Sequence, residues 1–248
     1  CRWYWSLWLV TCLNGFSADT PFPPSGSVTT NAPPLFSENF ESGEISTNVW
    51  TQWVTGGNLL EVQKEKVAHG NYALRVRCPA PSNKTWASIN AQHLPAALRQ
   101  HHFGRAYLFV TPKPPSRHTI FIMAGTTNFP FNKFQEVATM GGQWQLTYVD
   151  LRPSGDREDY HIGGTVPLDR WFCLEWEFND HPNHTTVWVD GKLAYETGFL
   201  SKTSGTTTDL VGGFDEFAFG FRLWGAAPEA FDIYYDDIAL DPKRIGAL

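Results

Sequence analysis

A chain of 248 residues with 42% apolar and only 18% charged residues is too hydrophobic to be disordered over most of its length. A net charge of −6 gives no basic footprint for nucleic acid, and no Lys/Arg cluster suits an anionic membrane surface. Aromatic residues make up 15%, including 11 Trp: most of these rings suit a core, and the surplus suits stacking against sugar faces.

In chain order, residues 1–18 come first, with Arg2 ahead of a short apolar run and then the small, polar stretch Asn14 to Ala18. This is the layout of a secretory signal, too short to span a bilayer. Residues 19–35 are rich in Pro, Ser and Thr without periodicity and read as an extended linker. The domain proper is expected over 36–248, as one unit. Asn83-Lys84-Thr85 and Asn183-His184-Thr185 are N-glycan acceptor sequences that agree with an extracellular location. Cys78 and Cys173 either pair there or remain two buried thiols, and their spacing does not suggest zinc.

Within the domain, short β-type runs are broken by turn signals. Tyr72 to Arg77 alternates apolar and polar, Thr119 to Met123 is a continuous apolar run, and Gln143 to Leu151 alternates again. Trp171 to Phe178 and Thr185 to Val189 flank a hairpin loop, and Asp190-Gly191 turns the chain into Lys192 to Tyr195. Phe217 to Leu223 and Asp232 to Leu240 close the series, and only Pro95 to Gln100 reads as helical. Strands spaced this way without amphipathic helices predict an all-β jelly-roll sandwich of two antiparallel sheets.

An ordered set of segments runs through the domain. It includes Asn39-Phe40-Glu41-Ser42-Gly43, Val67 to Asn71, His118 with Ile120 to Met123, Gly141-Gly142-Gln143, Phe172 to Glu175, Val187 to Gly191, Phe219-Gly220-Phe221, Tyr235 to Ile238, and Arg244-Ile245-Gly246. Together they resemble a family of secreted fungal and bacterial jelly-roll proteins induced alongside cellulases, related to glucuronan lyase and other jelly-roll polysaccharide lyases. The resemblance implies a polysaccharide ligand. Two positions depart from it. Val137 to Met140 lacks the basic residue that the family carries just before Gly-Gly-Gln, and Ala247 stands where the family has a cysteine.

Glu41 near the start and Asp236-Asp237 near the end fall where the first and last strands of a sandwich adjoin. Carboxylates from both would suit a hard Ca²⁺ ion, and the resemblance places calcium there with the loop holding His69, Gly70 and Asn71. The metal set is then Glu41, His69, Asn71, Asp236 and Asp237, in a structural role.

A lyase acting on a polyuronide needs a group that neutralises the substrate carboxylate, a base for the C5 proton and an acid for the leaving oxygen. Period-2 alternation puts Gln143, Gln145 and Thr147 on one polar face, with Trp144, Leu146 and Tyr148 on the other. Gln143 and His118 are the leading catalytic candidates. Tyr148 is taken as a third, which requires a bulge to turn it outward. Arg152, Arg222 and Arg105 are candidates for substrate binding beside Gln145 and Thr147, with Tyr160 and His161 in reserve. The expectation is a monomeric secreted lyase cleaving a glucuronan-like glycan by β-elimination. The missing basic residue favours the alternative, a non-catalytic carbohydrate-binding protein that assists cell-wall breakdown. A weaker third reading makes Glu175 and Glu177 the paired carboxylates of a glycoside hydrolase.

Overall fold

The computed structural model describes residues 32–80, 82–83, 85–92, 94–112, 118–126, 133–150, 157–180, 183–197 and 213–248. The leader, nearly all of the linker, and Arg152 lie outside the described residues, as do the side chains of both glycan-acceptor asparagines, Tyr160 and His161.

Strands are numbered in chain order. Sheet one runs β14 (Lys192–Glu196), β13 (Asn183–Val189), β12 (Trp171–Asp180), β7 (His101–Val110), β17 (Phe231–Asp241), β4 (Ala73–Cys78) and β3 (Leu59–Gln63). A further strand, β1 (Phe36–Glu38), also pairs with β17 and so joins the two ends of the domain. Sheet two runs β11 (Arg157–Gly163), β10 (Gln143–Asp150), β9 (Lys133–Met140), β8 (His118–Gly125), β15 (Glu216–Trp224), β6 (Trp86–Gln92) and β2 (Trp50–Val54). The short pair β5 (Ser82–Asn83) and β16 (Ala226–Ala227) stands apart. Every pairing is antiparallel. The helical expectation over Pro95 to Gln100 shrinks to one 3₁₀ turn, Ala96–Leu98. Strands β1, β2, β3, β6, β7, β9 and β11 and the short pair β5 and β16 escape the sequence reading, the longer ones because polar residues interrupt their apolar runs.

Alternation sorts each strand into an inner and an outer face. Leu174, Trp176 and Phe178 of β12 and Leu108 and Val110 of β7 meet Trp144, Leu146 and Tyr148 of β10 and Phe217, Phe219 and Phe221 of β15 in one core. Trp144 sits edge-on to Phe121 and Phe172 at 6.3 and 6.2 Å, and Trp176 packs 5.8 Å from Phe219. Trp176 fits only because residue 104 is glycine, since a Cβ there would lie 2.0 Å from the indole ring. Cys78 and Cys173 are both buried, and burial pushes the Cys173 thiol up to about 12.

Strand β8 carries one residue more than β9 opposite it, and β15 carries one more than β8. The β8 register shifts between Ile120 and Ile122 against β9, and β15 shifts between Phe219 and Arg222 against β8. Phe121 and Ile122 therefore both point into the core, while Ile120 and Met123 both point out. Such a bulge leaves ladder carbonyls without partners. Tyr235 crosses from β17 and donates its hydroxyl toward Gly220 O at 2.6 Å and Phe121 O at 3.0 Å. Tyr235→Phe keeps the ring and strips both carbonyls of that donor, so urea denaturation should show a loss of about 1–3 kcal/mol. Unchanged stability would mean the hydroxyl does not hold the bulge.

Candidate functional site

The outer face of sheet two is a grid. In one row Gln145, Ala138, Ile120, Arg222 and Trp86 stand in register on five neighbouring strands. In the next row stand Thr147, Glu136, Met123, Ala218 and Asn90. His118 of β8 pairs with Trp224 of β15 at one end. Ile120, Met123, Phe134, Ala138, Val149 and Ala218 form a small apolar cluster on this side, separate from the main core, with Trp53 packed against it. The polar members Gln145, Thr147, Glu136, Asn90 and Ser88 are buried as well.

Burying polar groups is costly unless each finds a partner. Here five groups retain atoms with no hydrogen-bond partner: one guanidinium nitrogen of Arg222, Gln145 Oε1, Asn90 Nδ2, Trp86 Nε1 and Glu136 Oε2. Both donors and acceptors are left over, which suits a ligand rich in hydroxyls and carboxylates. Elsewhere among the described residues such atoms are scattered singly through core and loops.

The charges are arranged around Glu136, which is fully buried. His118 Nε2 approaches Glu136 Oε1 at 2.6 Å. The Arg222 guanidinium carbon lies 4.3 Å from the ring centre of Trp224, 5.8 Å from Trp86 and 6.0 Å from Phe134. Burial pulls the Arg222 pKa below the ordinary arginine value, and the more distant Glu136 charge opposes that shift. Among the described residues no carboxylate makes ion-pair contact with Arg222.

The sequence-derived candidates fall into three groups. Gln145, Thr147, Arg222 and His118 share the outer face of sheet two. Gln145 Nε2 donates to Thr147 Oγ1 at 3.2 Å, and Gln143, at the exposed start of β10, uses its carbonyl to accept Thr139 Oγ1 at 3.0 Å. Tyr148 is excluded from the site: β10 pairs with β9 in unbroken register from Gln143 to Asp150, so no bulge turns the ring out of the core. Arg105 is also excluded, because β7 belongs to sheet one and its guanidinium donates to Gly246 O at 3.3 Å. The hydrolase reading loses its carboxylates to structural pairs on the outer face of sheet one. Glu175, 1% exposed, accepts two bonds from Arg244 at 3.0 and 2.8 Å and one from Gly246 N at 3.0 Å, while Glu177 meets His101 at 2.7 Å.

Glu136, Asn90, Trp86, Trp224 and Trp53 are site residues that the sequence reading passed over. The alternation Phe134, Glu136, Ala138 against Gln135, Val137, Thr139 was the available signal for β9, obscured by the polar residues on both faces.

The residues assigned to calcium make two separate sets of contacts with the loop at 68–72, Glu41 with Asn71 and the Asp236–Asp237 pair with His69. Glu41 Oε1 accepts Asn71 N and Tyr72 N at 2.8 and 2.9 Å, and Oε2 accepts Asn71 Nδ2 at 3.0 Å. These bonds hold Glu41 below the usual carboxylate pKa, those from Asn71 foremost. Gly70 allows this approach, since a Cβ there would lie 2.4 Å from Glu41 Oε1. Asp236 Oδ2 accepts Ala68 N and His69 N at 3.0 and 3.1 Å, Oδ1 accepts Asp237 N at 2.9 Å, and His69 Nδ1 lies 2.6 Å from Asp237 Oδ2. Burial pushes Asp236 up to about 6, against the His69 N–H and with the help of the Asp237 charge. Among the described residues, no three His, Cys, Asp or Glu side chains are grouped as a metal site. Glu41 Oε2 and Asp236 Oδ1 each take a single donor, which leaves acceptor capacity for a hard cation.

No family model and no curated protein sequence matches the chain. Solved structures do. The cellulose-induced protein Cip1 superposes with a TM-score of 0.63 at 16% identity, over 86% of this chain and 100% of that one. An endo-β-1,4-glucuronan lyase from the fungus Trichoderma reesei gives 0.60 at 12% identity, over 84% of this chain and 95% of that one. The fold is a jelly roll. The globular domain of a T. cruzi calreticulin matches less closely, with a TM-score of 0.52 at 12% identity over 84% of this chain and 87% of that one.

Proposed function

We propose that the chain is a secreted lyase that holds a uronic-acid-containing polysaccharide on the outer face of sheet two and cleaves it by β-elimination. The observation that carries this is Arg222, a desolvated cation with an unpartnered nitrogen and no carboxylate of its own, set across the face from the His118–Glu136 pair. A uronate carboxylate supplies the missing anion. The cation that Val137 to Met140 lacks is then supplied by Arg222, in the row of Ala138 two strands away, about 10 Å across the sheet. The fold likeness to a glucuronan lyase supports the same substrate class.

Neutralising the carboxylate acidifies the C5–H of the sugar beside it. The His118–Glu136 pair takes that proton, the C–H electrons form the C4=C5 double bond, and the C4–O bond breaks. The departing glycosidic oxygen receives the proton that the pair gained. Gln145 and Asn90 offer hydrogen bonds to sugar hydroxyls along the way. Exclusion of Tyr148 favours a second reading, in which the same face binds the polymer without cutting it.

Incubation with polyglucuronate and related polyuronides should generate the ultraviolet absorbance of the unsaturated product, and Arg222→Gln should lower that rate roughly 100-fold. Binding without product across the panel would leave the second reading. Neither binding nor product would remove both.

A calcium ion at the joined termini is a separate part of the proposal, supported by the contacts that Glu41 and Asp236 both make to the loop at 68–72 and by the acceptor capacity left on Glu41 Oε2 and Asp236 Oδ1. A ligand that binds only the folded state raises its stability. The melting temperature should therefore fall by several degrees in chelator and recover with added calcium. A melting temperature indifferent to both would exclude the ion.

A further inference from the structure

The polar grid occupies only part of the outer face. Beyond Arg222, toward the β2 edge of sheet two, three indoles stand on the same side. Trp224 pairs in register with His118 and Trp86 with Arg222. Trp53 follows on β2, its ring 6.5 Å from Trp86 and tilted by 40°. Trp224 is 41% exposed although it is among the most apolar side chains on the surface. A lone exposed indole needs no explanation, but this one adjoins the reacting groups and has two more beside it.

Trp86 adds an independent observation. Its Nε1 is buried and has no hydrogen-bond partner. An indole N–H out of water normally finds an acceptor, because leaving the donor unmade costs the full desolvation of the group. Between Trp86 and Ser88 on one side and Ile120, Met123, Gly220 and Arg222 on the other lies a small recess with room for a single water-sized group. A sugar hydroxyl entering that recess would meet the Trp86 donor and the Arg222 guanidinium while its ring stays outside over the indoles. Hexopyranose units combine an apolar C–H face with equatorial hydroxyls that can accept such a bond.

We infer that Trp224, Trp86 and Trp53 form a stacking subsite for the sugar units that flank the uronate held by Arg222. The glycan then runs across the strands, from His118 and Trp224 over β15 and β6 to the β2 edge. The protein recognises a chain of several pyranoses and not a single uronic acid. This rests on the function proposed above and adds the direction and length of the bound segment.

The test is affinity electrophoresis through polyglucuronate at low and at high salt, with wild type, Trp224→Ala, Trp86→Ala, Trp224→Phe and Arg222→Gln. Melting temperatures confirm that each variant is folded. Trp224→Ala and Trp86→Ala should each weaken binding roughly tenfold at both salt concentrations, the equivalent of a lost aromatic contact. Trp224→Phe should recover most of that loss. The Arg222→Gln defect should instead shrink as salt screens the charge of the polymer. If Arg222→Gln weakens binding but both indole-to-alanine variants stay within about twofold of wild type, the subsite is wrong and the uronate reading stands. If the Trp224→Ala defect disappears at high salt, Trp224 merely supports the guanidinium and the subsite is likewise overturned. Wild type that is not retarded at all removes the uronate reading together with the subsite.

Discussion

One hydroxyl in the core sets which way the site faces. Side chains alternate along a strand, so a one-residue change of register turns every later side chain to the opposite face of the sheet. Ile120 and Met123 are an odd number of residues apart, yet both lie on the outer face. Only the extra residue at Phe121 reconciles them. Without it, β8 could present Met123 beside Glu136 or His118 beside Trp224, but not both. The carbonyls that the bulge releases lie between two packed sheets, out of reach of water, and Tyr235 from the opposite sheet meets them. The catalytic pairing proposed on one surface of the molecule thus depends on a contact made through its interior.

The two sheets use their outer faces in opposite ways. On sheet one the charges are closed among themselves: Arg244 grips Glu175 and stacks 4.3 Å from the centre of the Trp188 ring, Arg105 meets Gly246, and Leu248 N donates to Tyr107 Oη at 2.9 Å. Residues 244–248 thereby lie over that face. On sheet two the groups are equally buried but are left with spare donors and acceptors. Burial alone does not mark a site. The combination of burial with unmet hydrogen-bonding capacity does, because the folded chain bears that cost with no internal return.

Much of this could be read from the sequence wherever a rule of period two applies. Gln143, Gln145 and Thr147 share a face, and the same alternation carries Tyr148 inward, so its place among the catalytic candidates ran against the pattern. The pairing of the first and last strands, β1 with β17, was legible from their places at the two ends of a sandwich. Glu136 was not, because its meaning comes from His118, a neighbour only across a strand pair. Arg222 is the clearest instance. Along the chain, Val137 to Met140 reads as the loss of a cation. Across the sheet, Arg222 stands in the row of Ala138 two strands away, and only register reveals it. Glu175 and Glu177 show the converse, an alternating carboxylate pair that resembles chemistry until Arg244 and His101 are seen to hold it.

The central claim is that a uronate carboxylate completes the buried charge of Arg222. The most direct measurement is a crystal structure with a glucuronic acid oligosaccharide bound. One carboxylate should lie within hydrogen-bond distance of the Arg222 guanidinium, with its sugar beside the His118–Glu136 pair. A chain bound instead over the residues of sheet one, or bound to sheet two with every carboxylate directed away from Arg222, would contradict it.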